Sequence, residues 1–87
     1  MGVTILKNNI AAPQYARAIE TAVRRALAGG TGEWSVRIEE SANLVAWTIR
    51  IEGPAGFDLE YEFFGQEQTP EFIESKVGEL VTRRQPR

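Results

Sequence analysis

Three carboxylates, Asp58, Glu60 and Glu62, recur at every second position in a stretch that otherwise reads Phe57, Leu59, Tyr61 and Phe63. On an extended strand that spacing puts them on one face, about 7 Å apart. Carboxylate oxygens are the ligands that hard cations such as Mg²⁺ or Ca²⁺ take. Crowded carboxylates also raise one another's pKa, which lets one of them serve as an acid. A flat strand, however, spreads its side chains in a row and does not converge them on a point. Arg50, expected across a hairpin from Asp58, neutralises part of that row. The row is therefore expected to be a solvated sheet face, with no metal and no cofactor.

The usual parts of other active sites are missing. The chain contains no Cys and no His, so disulfides, thiol nucleophiles, thiolate zinc sites and the commonest general base are excluded. Ser75 and Lys76 are neighbours on one helix and point in different directions. The connections are too short to form a lid. Gly29-Gly30-Thr31-Gly32 follows a helix where a phosphate-binding loop precedes one, and it lacks the Gly-Lys-Ser/Thr signature. It reads as a cap and linker. Neither an enzyme nor a small-molecule substrate is expected.

The elements that position these residues belong to one domain. Eighty-seven residues, 43% hydrophobic and 25% charged, supply one modest core and no second. Residues 1–87 form this single unit, with 1–12 an N-terminal arm or a short edge strand (Val3-Thr4-Ile5-Leu6) and 85–87 a tail. Pro13 opens a helix whose apolar stripe is Tyr15, Ile19, Ala22, Val23, Ala26 and Leu27. Glu20 and Arg24 are placed to pair at i,i+4, and Gly29-Gly30 stops the helix in a left-handed cap.

The hydrophobic period then falls to two. Trp34, Val36 and Ile38 make one strand, Val45, Trp47, Ile49 and Ile51 a second, and Phe57, Leu59, Tyr61 and Phe63 a third. Turns fall at Ser41-Ala42-Asn43 and at Gly53-Pro54-Ala55-Gly56. Thr69-Pro70-Glu71 caps a second helix with the stripe Phe72, Ile73, Val77, Leu80 and Val81. Gly78 lies inside it at a cost of about 1 kcal/mol relative to Ala. The expected fold is α+β: a two-layer sandwich of helix, three-stranded antiparallel meander and helix, both helices on one face of the sheet.

In the expected register Ile51 pairs with Phe57 and Leu44 with Phe64. Leu44, Ala46 and Phe64 then form an apolar patch on the open face beside Arg50 and Asp58, the usual mark of a contact surface. The chain's own Val3-Ile5-Leu6 segment is an alternative cover for it. Trp34 and Trp47 fall in the core-facing phase. A partner strand is a further expectation at a free edge, on the first or third strand of the meander.

Charge separates along the chain. Lys7, Arg17, Arg24 and Arg25 face a lone Glu20 in the first 32 residues, whereas residues 33–79 hold 11 acidic residues, and Arg83, Arg84 and Arg87 end the chain. The helix–three strands–helix order resembles that of the double-stranded-RNA-binding domain, where a lysine-rich start to the second helix contacts phosphate. Here that place reads Thr69-Pro70-Glu71-Phe72-Ile73-Glu74, which repels phosphate. The order is also similar to the first half of the small acidic secretion-chaperone fold. A net charge of −2 likewise argues against nucleic acid as the main partner. The expectation is a small acidic, non-catalytic protein–protein interaction or accessory protein, a homodimer through Leu44, Ala46, Arg50, Asp58 and Phe64, or a binder of another protein. The alternative is a nucleic-acid-binding module using Arg17, Arg24, Arg25 and the basic C-terminus. No run approaches the roughly 20 apolar residues of a membrane span, and the expected location is cytoplasmic.

Overall fold

The period-2 segments pair as their spacing predicts, but they are not the whole sheet. The computed structural model describes residues 2–42 and 45–84. Its elements are β1 (Gly2–Asn8), α1 (Pro13–Leu27), β2 (Glu33–Glu40), β3 (Ala46–Glu52), β4 (Asp58–Phe64) and α2 (Pro70–Arg84). They build a four-stranded sheet in the order β1-β2-β3-β4. β2, β3 and β4 are the expected antiparallel meander. β1 lies parallel to β2.

The chain therefore runs β-α-β-β-β-α, which corrects the expected helix–meander–helix order. The element order shared with the RNA-binding domain lacks this first strand. A parallel neighbour needs a long crossover, and α1 provides one. Val3 and Ile5 pack against the core, which anchors β1 as a strand and settles the choice between strand and arm. The outer edge of the first meander strand is thus already occupied.

One buried cluster joins the elements. Trp34, Val36, Ile38, Ile49, Ile51, Leu59 and Phe63 from the sheet meet Ile19, Val23 and Leu27 of α1 and Ile73, Val77 and Val81 of α2. The two helices also pack against each other. Tyr15 and Phe72, expected in the helical stripes, are half-exposed instead. Tyr15 lies against Trp47 and Phe72 stands edge-on to Phe63. Val45, expected in the core, lies before β3 and is exposed. Thr69 caps α2 as expected, its Oγ1 accepting from the Phe72 N–H at 3.2 Å.

The glycines after α1 act by size. Neither Gly29 nor Gly30 has positive φ, which corrects the expected left-handed cap; the left-handed position is Gly32, φ 88°. A Cβ at Gly30 would lie 3.1 Å from the Trp34 indole, and one at Gly53 only 2.5 Å from its other side. Trp34 is buried in this slot with Phe57 edge-on at 5.3 Å. Among the described residues no helix is long and apolar enough to cross a membrane.

Candidate functional site

The face of the sheet opposite the helices carries Arg37 and Glu39 from β2, Thr48, Arg50 and Glu52 from β3, and Asp58, Glu60, Glu62 and Phe64 from β4. The register fixes who meets whom. Asp58 lies opposite Glu52, Glu60 opposite Arg50, Glu62 opposite Thr48 and Phe64 opposite Ala46. This is two residues away from the expected pairing of Ile51 with Phe57. The hairpin is tighter than expected: Gly53 N–H donates to the Phe57 carbonyl at 2.9 Å, leaving Pro54–Gly56 as a 3₁₀ turn. A slide by an even number of residues keeps every side chain on its face, so the solvated row survives the change of partners.

Arg50 and Asp58 still pair, now diagonally. The guanidinium Nε donates to Asp58 Oδ1 at 3.2 Å and Nη2 to Oδ2 at 2.9 Å. The hydrogen bond to Asp58 pushes the Arg50 pKa up from its ordinary value. The charges of Asp58, Glu52 and Glu60 add to this, while burial opposes it. Arg37 pairs with Glu52 at 3.0 Å and Lys7 with Glu39 at 3.7 Å. Cations and anions of β1, β2 and β3 thus neutralise one another along the face. Toward β4 the balance fails, and among the described residues Glu60 and Glu62 make no ion pair. No three carboxylates of the described residues converge as a metal site requires.

The residues expected at the contact patch fare differently. Leu44 lies outside the described residues. Ala46 is 2% exposed and offers almost no surface, whereas Phe64 is 49% exposed. The Val3-Ile5-Leu6 segment sits at the opposite edge of the sheet, so it does not cover Phe64. Gln68 closes this corner by donating from Nε2 to the carbonyls of Val45 and Phe63, and Glu67 accepts from the Phe64 N–H.

The arginines expected to track phosphate are divided in use. Arg24 reaches back to β1, Nη1 donating to the Val3 carbonyl at 2.8 Å. Glu20, expected to pair with it, accepts instead from Asn8 Nδ2 at 2.8 Å. Arg25 lines a shallow groove of ≈ 250 Å³ between the helices with Glu71 and Glu74. The contacts of Arg24 and Glu20 both reach β1, so they depend on a strand that helical spacing alone does not place beside α1. At the end of the parallel pair, Glu40 accepts from Ala11 N–H and from Trp47 Nε1, and its own N–H donates to Asn9 Oδ1. This brace locks the β1–α1 connection onto the sheet.

The two strands at the edges of the sheet complete the geometry. In an antiparallel pair, residues bonded to the neighbour alternate with residues whose N–H and C=O point away. The Gly53–Phe57 bond puts Leu59, Tyr61 and Phe63 in the bonded set. Asp58, Glu60, Glu62 and Phe64 therefore turn their backbone groups outward from β4. No protein-family model matches the chain, and no curated protein matches it either.

Proposed function

We propose that this chain is a small non-catalytic protein–protein contact module whose working surface is the open sheet face on its β4 side, with self-association as its simplest form. The observation that carries this reading is Phe64. It is a large aromatic, 49% exposed, on a face otherwise largely polar and charged, and it stands one step along the strand from Glu62, which like Glu60 makes no ion pair among the described residues. An apolar spot rimmed by unneutralised charge suits a partner that supplies both an apolar contact and cations. The acidic residues around Phe64 steer such a partner, and the Arg50–Asp58 pair fixes the shape of the surface beside them.

The first experiment is the mass in solution by light scattering across a range of concentrations. A mass near twice 9.7 kDa that returns to the monomer value in Phe64→Asp is the expected result. A monomer at every concentration overturns self-association. A dimer untouched by Phe64→Asp overturns the assignment of the face.

A further inference from the structure

We propose that the free edge of β4 takes up an extended, basic segment of another polypeptide as a fifth strand. This rests on the contact reading above but not on self-association.

Two observations converge on β4. Its outward N–H and C=O groups at Asp58, Glu60 and Glu62 have no hydrogen-bond partner among the described residues. An unpaired row of this kind is a template for another strand. The edge is also regular, its pairing with β3 running from Ala46↔Phe64 to Glu52↔Asp58 without a register shift. An incoming strand would find its hydrogen-bond groups at the normal repeat.

Charge then selects the occupant. A strand added beside β4 places every second side chain on the open face, next to Asp58, Glu60 and Glu62. Glu60 and Glu62 make no ion pair among the described residues, so Lys or Arg at those positions gains two new partners. The intervening side chains fall on the other face beside Tyr61, which is half-buried under the Lys76 ammonium at 5.5 Å. An apolar residue fits there. The partner pattern is basic alternating with apolar.

A second copy of β4 does not fit. Antiparallel pairing of two such strands sets carboxylates against carboxylates along the row, which is destabilising. The other edge of a second copy is no better, because Arg24 already holds its outward Val3 carbonyl. The edge is thus closed to this chain and open to a cationic one.

The probe is a synthetic peptide matching β4 in length and alternating lysine with valine, added to the full chain. Amide hydrogen exchange should slow at Glu60 and Glu62 and stay unchanged in β1. N-methylation of the peptide at the residues that face β4 should weaken binding roughly tenfold, since backbone bonds are lost while charge is kept. Glu60→Lys with Glu62→Lys should transfer the preference to a glutamate–valine peptide. Absence of binding overturns the proposal, as does binding that N-methylation leaves intact or that protects β1. A monomeric protein that binds the peptide removes self-association and keeps this inference; a dimer that ignores the peptide does the reverse.

Discussion

The two edge strands, β1 and β4, face the same problem and solve it by different physics. Each is seven residues long, and among the described residues each has a neighbouring strand on one side alone. At β1 the protection is geometric. The pairing with β2 shifts register between Ile5 and Lys7, leaving Leu6 as an extra residue, and such a bulge twists an edge away from regular pairing. Arg24 also occupies the outward Val3 carbonyl. At β4 the strand is regular, and its guard is a row of carboxylates, helped at one end by Glu67 on the Phe64 N–H. A bulge excludes every strand, whereas a charge excludes only like charge and attracts the opposite sign. The difference teaches that one edge of this sheet is shut and the other is selective.

The largest test of this contrast uses proline on β4. Tyr61→Pro removes an N–H bonded to β3 and should cost on the order of 3 kcal/mol, enough to unfold much of the protein. Glu60→Pro removes an outward N–H and should cost about 1 kcal/mol, leaving a folded chain by circular dichroism. Equal losses would mean that the assignment of bonded and free residues is wrong.

The next test removes the charges. Glu60→Val with Glu62→Val should turn the selective edge into an adhesive one, with light-scattering mass rising above that of the wild type. Thr4→Val on β1 should leave the mass unchanged. Assembly by both variants would show that geometry does not guard β1.

Smaller effects sharpen the comparison. Arg24→Met keeps the aliphatic stem but frees the Val3 carbonyl. It should cost about 1 kcal/mol in urea unfolding and speed amide exchange in β1 while β4 stays as it was. Gly78→Ala serves as a control away from both edges. Its Cβ would meet nothing within 4 Å, so helix propensity alone should raise stability by about 0.8 kcal/mol with exchange at the edges unaltered.

The smallest effect belongs to Arg50→Gln, which breaks an exposed ion pair. The thermal midpoint should fall slightly at low salt, and the difference should vanish at high salt. The Arg50 pKa is raised in the folded state. Its contribution is therefore complete below the unfolded pKa and lost only as pH rises through the higher folded value, far into alkali. The effect of Arg50→Gln should be flat across neutral pH, as thermal melts in a series of buffers would show.

Much of this contrast was legible in the residues themselves. The alternation of Leu59, Tyr61 and Phe63 with Asp58, Glu60 and Glu62 identifies β4, its buried side and its acidic row, because a strand's side-chain period is two whatever the partner. The Arg50–Asp58 pair was legible too, though across a different register. The even slide of two residues is set in the hairpin turn by the Gly53–Phe57 bond, and the run Gly53-Pro54-Ala55-Gly56 marks a turn without naming which residues close it. The candidate patch was less legible. Phe64 is exposed as its phase implies, but Ala46 is buried, since phase tells which face a side chain points to and not what lies around it.

The sequence by itself determined both helices, the three-stranded meander and the absence of Cys and His chemistry. These follow from local periodicity, capping residues and composition, each readable within a few residues. Only the tertiary structure decided that Val3-Thr4-Ile5-Leu6 is a strand, that it lies parallel to β2, and which edge of the sheet is left open. Those outcomes depend on contacts between residues far apart in the chain, such as Val3 with Arg24 and Gly2 with Glu33. A short apolar segment acquires its conformation from the neighbour it pairs with, and no local pattern names that neighbour.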